Sequence, residues 1–124
     1  MKPIISHTDY NTVKSYIANC PTHLKTKEMN DLVTELDRAE HWEDEKVKED
    51  VIQINSSFEV EDTASKKVMK FFLTLPQHAD LKQRKISIFS PLGIALIGFT
   101  KGMTIKWALP GGEKLLKILN VSKH

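Results

Sequence analysis

The spacing of apolar residues changes once along this 124-residue chain, and that change divides it. Up to Ala39 the apolar side chains recur three and four residues apart, and from Val51 onward they alternate. A period of 3.6 turns one face of a helix toward a core, and a period of two does the same for a strand. The chain therefore reads as an α+β protein, with a helical N-terminal part followed by a sheet. The expected division is a short helical hairpin with an acidic linker over residues 1–49 and a sheet domain over 50–124.

The helical part carries its own punctuation. Ser6-His7-Thr8-Asp9 has the form of a capping box, with the Ser6 hydroxyl serving the Asp9 amide and the carboxylate reaching back. Tyr10, Val13, Ile17 and Cys20 then give one apolar face, and Pro21 stops the helix because it lacks an amide hydrogen. After the short connection 22–26, Met29, Leu32, Val33, Leu36 and Ala39 form the strongest helical stripe in the chain. Two amphipathic helices so closely joined imply an antiparallel hairpin, with arms only about 16 to 22 Å long at 1.5 Å per residue. The charge-dense run from His41 to Asp50 reads as an exposed linker that frays the second helix.

In the alternating part, Val51 to Val60 suggests a strand with an irregularity, followed by a turn over 61–65. Lys66 to Leu75 forms a second strand with Val68, Lys70, Phe72 and Thr74 on one side, ended by Pro76. A polar loop over 77–85 leads to a short strand, Ile86 to Phe89. Ser90-Pro91 then opens a helix, the serine oxygen as N-cap and the proline at N1, with Leu92, Ala95 and Leu96 facing inward. Gly98 is a C-terminal stop and Lys101-Gly102 a turn. Strands Thr104–Leu109 and Lys114–Val121 flank a Pro110-Gly111-Gly112 turn. The whole is an antiparallel sheet with one short helix.

The composition, 40% apolar and 27% charged, is that of a globular domain with its own core. The single cysteine, Cys20, excludes an internal disulfide and fits a reducing compartment. The longest apolar run, Ile86 to Phe99, is interrupted by serines, Pro91 and glycines, and the N-terminus has no apolar leader, so a cytoplasmic protein without a membrane segment is expected. Charge is uneven. Residues 1–50 hold seven Lys/Arg and eleven Asp/Glu, and residues 51–124 hold eleven and five.

Few residues point to catalysis. Cys20 and His23 offer two zinc ligands without a second pair, and His7, His41, His78 and His124 are scattered, so no metal or other cofactor is expected. Ser90 lies outside any nucleophile-elbow motif and is explained by capping. Glu43-Asp44-Glu45 reads as a hydrated acidic run. Lys82, Arg84 and Lys85, with Lys66, Lys67 and Lys70, make a basic face able to touch nucleic-acid phosphates without sequence specificity. No aromatic residue is interleaved among them in the manner of a stacking platform.

The segment Ile86 to Gly98 (ISIFSPLGIALIG), followed by Lys101-Gly102, Trp107 and Pro110-Gly111-Gly112, resembles the C-terminal domain of the bacterial Gre transcript-cleavage factors. Upstream, Glu35-Leu36-Asp37-Arg38-Ala39 and Asp50-Val51-Ile52 with Ile54-Asn55-Ser56 resemble the short Rnk-type members, the regulators of nucleoside diphosphate kinase. The resemblance covers residues 28–121 and implies an FKBP-like fold behind a short coiled-coil hairpin. It also implies docking on the rim of the RNA polymerase secondary channel through Phe89, Ser90, Pro91 and Leu92.

Two departures from the family pattern shape the expected function. The hairpin tip, Asn19 to Leu24, has no carboxylate with which to hold a catalytic magnesium ion, and the arms are short, so no transcript cleavage is expected. Phe89 stands where the cleaving factors carry Asp before Ser-Pro. The resulting expectation is a non-enzymatic, monomeric regulator that binds RNA polymerase and competes with longer channel-binding factors. Two other readings are an FKBP-like prolyl isomerase, which rests on the implied fold alone, and a regulator of nucleotide-metabolism enzymes.

Overall fold

A computed structural model describes residues 3–109 and 111–123. The chain opens with a short strand, β1 (Ile4–Ser6), that runs directly into helix α1 (His7–Ala18). A 3-10 turn over Thr22–Leu24 leads to helix α2 (Lys27–Arg38), and strand β2 (Glu40–Trp42) follows. The remainder is β3 (Ser56–Asp62), β4 (Lys67–Thr74), β5 (Lys85–Ser87), helix α3 (Pro91–Leu96), β6 (Thr104–Leu109) and β7 (Gly112–Lys123).

Both twelve-residue helices are about 18 Å long, as their spacing predicts. Tyr10, in the first turn of α1, donates its hydroxyl proton to Asp37 near the end of α2 at 3.0 Å, so the two helices run in opposite directions. Ser6 caps α1 by accepting from the Asp9 amide at 3.1 Å. The reciprocal half of the expected capping box is absent. The Asp9 carboxylate turns away from Ser6 and accepts instead from the Ile54 amide at 3.0 Å.

The stretch after α2 is the clearest departure from the sequence reading. It is not a loose linker: β2 pairs in parallel with β1, Ile5 opposite His41. Asp44 then accepts hydrogen bonds from both the backbone amide and the hydroxyl of Thr8. Three-residue strands carry too little pattern to stand out in a charged run.

The five-stranded sheet has the order β5-β4-β3-β7-β6. It is antiparallel except at one edge, where β4 and β5 are parallel with Leu73 opposite Ile86. The expectation of a wholly antiparallel sheet fails there, because the 3-10 turns between Pro76 and Gln83 carry the chain back before β5 begins. The first strand of the sheet starts later than its alternation suggests, at Ser56, and runs through Asp62. Its expected irregularity is a register shift against β7 between Glu59 and Val60. Of the expected Pro110-Gly111-Gly112 turn, Pro110 lies outside the described residues, and Gly112 has φ +134°.

One contiguous buried cluster unites the two parts. Ile5, Val13, Leu32 and Leu36 join Ile52, Phe58, Leu73, Ile88, Leu96 and Ile118. Gly98 seals the seam: its carbonyl accepts the Ile4 amide at 2.8 Å, its φ is +88°, and a Cβ there would sit 2.7 Å from the Pro3 Cβ. No described helix is long and apolar enough to cross a membrane.

Candidate functional site

The turn between β5 and α3 is built almost entirely from serine hydrogen bonds. Ser87 Oγ accepts the Phe89 amide at 3.0 Å. Ser90 Oγ donates to the Ser87 carbonyl at 2.6 Å and accepts the Gly93 amide at 3.1 Å. With its proton and acceptor both committed, the Ser90 hydroxyl is a cap and a brace, not an activated nucleophile. Pro91 at N1 contributes no amide, so nothing there competes with the cap.

The four expected docking residues therefore have different fates. Pro91 is exposed at the corner of the turn, and Phe89 and Ser90 are half-buried. The Phe89 ring packs tilted against Tyr16 of α1, with centroids 5.6 Å apart, so it ties the turn to the first helix. Leu92 is buried in the core.

Beside Pro91 lies a groove of about 450 Å³, where α3 meets β6 and α2. Pro91, Ile94, Ala95, Phe99 and Ile105 supply its apolar lining, and Glu35 and Lys106 bring one charge of each sign. Sequence reasoning missed Ile94, Phe99 and Lys106, and placed Ala95 inward. The signal was present in the helical period. Pro91, Ile94 and Ala95 are spaced three and four apart, on a face offset from Leu92 and Leu96.

The helical tip, Asn19 to Leu24, carries only neutral side chains and His23, and Leu24 is 57% exposed. Cys20 is half-buried with Sγ 3.6 Å from the Pro21 carbonyl oxygen. Among the described residues no three His, Cys, Asp or Glu side chains converge as a metal site would require. The acidic run 43–45 is less free than expected, since the Thr8 hydrogen bonds hold Asp44 and push its carboxyl below the ordinary range. The Lys114 ammonium, 3.1 Å from Asp62, does the same for that residue.

The expected basic face separates into two groups. Lys66 and Lys67 sit at the turn between β3 and β4, with Lys67 opposite Asp62. Lys85 sits at the other end of β4, opposite Phe72, and that separation is about 16 Å along the strand. Lys82 and Arg84 are exposed on the adjoining turn, and the Arg84 guanidinium lies 5.8 Å from the Phe71 ring centroid.

The family described as "Transcription elongation factor, GreA/GreB, C-term" matches residues 47–123. The chain belongs to the GreA/GreB family. The Escherichia coli (strain K12) regulator of nucleoside diphosphate kinase is 33% identical over 81 residues, covering 65% of this chain. The transcription elongation factor GreA of Anaeromyxobacter sp. (strain K) is 30% identical over 111 residues, covering 84% of this chain. These alignments span 60% and 67% of the respective relatives' lengths. Among solved structures, a prokaryotic transcription elongation factor GreA/GreB from Nitrosomonas europaea matches with a TM-score of 0.78 and 30% identity over 98% of both chains. GreA factor homolog 1 of Thermus thermophilus, 17% identical with a TM-score of 0.52, shares the fold. The Gre-family match includes the whole Ser90-Pro91 turn, the five-stranded sheet and every lining residue of the groove except Glu35.

Proposed function

We propose that this Gre-family chain is a non-enzymatic transcription regulator that binds RNA polymerase at the rim of the secondary channel. The observation that carries the proposal is the exposed Pro91, held on a serine-braced turn at the mouth of an apolar groove. A rigid corner beside a shallow apolar cleft suits docking, because little side-chain or loop entropy is lost when a partner seats on it. Pro91 with Ile94 and Phe99 would form the contact, with Ser90 holding its shape. Phe89 takes no direct part, because its ring is engaged with Tyr16.

The helical arm would enter the channel without chemistry of its own. Its neutral tip offers no carboxylate for a magnesium ion, and helices of about 18 Å give it little reach. Such a protein, acting in the cytoplasm as a monomer, would occupy the entrance and exclude longer factors. In this reading residues 1–49 are the arm and linker, and residues 50–124 are an FKBP-like docking domain.

The deciding experiment is equilibrium binding to core RNA polymerase, with RNA 3′-end cleavage in stalled complexes measured alongside. Saturable binding without cleavage is expected. Absence of binding, or shortening of the RNA, refutes the proposal. The E. coli relative's name supplies a second reading, regulation of a nucleoside diphosphate kinase. Recovery of such a kinase without polymerase subunits in a pull-down would favour it.

A further inference from the structure

The five-stranded sheet ends in β5 on one side and β6 on the other, and β6 is the longer of these edge strands. It pairs with β7 on one side and with no described strand on the other. Which backbone groups face the open side follows from the ladder. Leu115 accepts from the Thr63 amide at 3.1 Å, so Leu115 and Lys117 turn their backbone groups toward β3. Ile118 donates its amide to the Met103 carbonyl at 2.9 Å, and Leu116 and Lys114 follow in the same phase, opposite Ile105 and Trp107. Ile105 and Trp107 are therefore bonded to β7. Thr104 and Lys106 turn their amide and carbonyl groups outward, where no described backbone group meets them.

The side chains of the same stretch are sorted by face. Met103, Ile105 and Trp107 pack against the core, and Thr104 and Lys106 are exposed on the opposite face. Along this edge lies the groove of Pro91, Ile94, Ala95 and Phe99, with Ile105 in its wall. A strand laid beside β6 would find hydrogen-bonding partners at Thr104 and Lys106 and an apolar recess for every second side chain. β6 has that alternation itself. Lys106 is the kind of charge that keeps sheet edges from pairing, so a workable register must hold two such lysines apart.

We infer that two copies of this chain pair through β6, antiparallel about a two-fold axis at Ile105. Thr104 of each copy then lies opposite Lys106 of the other as a hydrogen-bonded pair, and Met103 lies opposite Trp107 on the apolar face. The two Ile105 side chains meet at the axis, and the two lysines become diagonal neighbours about 7–8 Å apart. The contact is small, so the dimer depends on concentration. It also covers the groove beside Pro91, so self-pairing and docking exclude one another. That consequence rests on the docking reading, whereas the pairing itself does not.

The test is sedimentation equilibrium of the full chain from about 10 μM to 1 mM, without polymerase. A single monomer–dimer equilibrium is expected. Thr104→Pro removes an outward amide that β7 does not use, a place where an edge strand tolerates proline. It should weaken the dimer about tenfold or more, with thermal melting to verify the fold. Cross-linking with oxidised glutathione in a Cys20→Ser background reads the register. An equimolar mixture of Thr104→Cys and Lys106→Cys chains should cross-link and either alone should not, because only the mixed pair is directly opposed. A monomer at every concentration, assembly beyond the dimer, an unweakened dimer in Thr104→Pro, or equal cross-linking by either variant alone overturns the inference.

Discussion

Asp9 and Ile54, 45 residues apart, are joined by a single hydrogen bond in which the Ile54 amide donates to Asp9 Oδ2 at 3.0 Å. Both residues are buried, and the bond ties the first turn of α1 to the approach to β3. Asp9→Ala would leave a buried amide without an acceptor, at a cost of about 1–3 kcal/mol in urea denaturation. Asp9→Asn keeps an acceptor and removes the charge. Burial pushes the Asp9 carboxyl up, opposed by the Ile54 bond and by Lys123. A carboxyl raised in the folded state loses its proton first in the unfolded chain, so stability drains as pH climbs between the two values. Asp9→Asn should therefore gain on the wild type as pH rises from about 4 toward neutrality. A constant gap over that range would contradict the assignment.

Asp44 gives the opposite sign. Its hydrogen bonds from the Thr8 hydroxyl and amide hold its carboxyl low. A lowered carboxyl contributes stability above its unfolded value, and that contribution vanishes as pH falls through the folded value. Asp44→Ala should melt earlier than wild type at pH 7, and the two curves should converge in strong acid. Thr8→Val removes the hydroxyl donor and should show a smaller pH-dependent loss. Differential scanning calorimetry between pH 2 and 7 would register both.

The sequence was most legible where one side chain fixes a backbone feature locally. Ser90 and Pro91 announced α3, Ser6 announced α1, and the stripe of Leu32 and Leu36 announced α2. It was least legible where pairing is short or distant. Nothing in Ile4-Ile5-Ser6 or Glu40-His41-Trp42 distinguishes a three-residue parallel strand from coil, because each is completed only by the other. The parallel β4–β5 edge depends likewise on turns whose path is set by tertiary contacts. Of the Ser90-Pro91 turn, the sequence showed the cap and the proline at N1. That Phe89 packs on Tyr16 and that Phe71 lies beneath Arg84 both depend on contacts between separate elements.

Gly93, which closes the Ser-Pro-Leu-Gly motif, is required by space. A Cβ there would meet the Ser87 carbonyl oxygen at 2.4 Å and Leu73 Cδ1 at 3.2 Å. The first neighbour is backbone in the Ser87–Phe89 turn, so α3 would have to lift away from β5. Gly93→Ala should cost about 1–3 kcal/mol, as overpacked cores do, in spite of alanine's better helix propensity. A stability equal to or above wild type in urea unfolding would show that the helix can shift freely.

Stability and binding should separate at the neighbouring pair Ser90 and Pro91. Ser90→Ala removes the acceptor for the Gly93 amide and the donor to the Ser87 carbonyl, so a loss of about 0.5–2 kcal/mol is expected. Pro91 is exposed and forms no hydrogen bond through its nitrogen, and an aspartate at N1 suits the positive end of a helix. Pro91→Asp should therefore unfold within about 0.5 kcal/mol of wild type while its carboxylate disrupts the apolar mouth of the groove. If the groove is where polymerase seats, this variant should bind core enzyme at least tenfold more weakly, by about 1.4 kcal/mol. Wild-type affinity in Pro91→Asp would move the docking surface elsewhere on the chain. A parallel loss of stability would instead make the proline a structural residue.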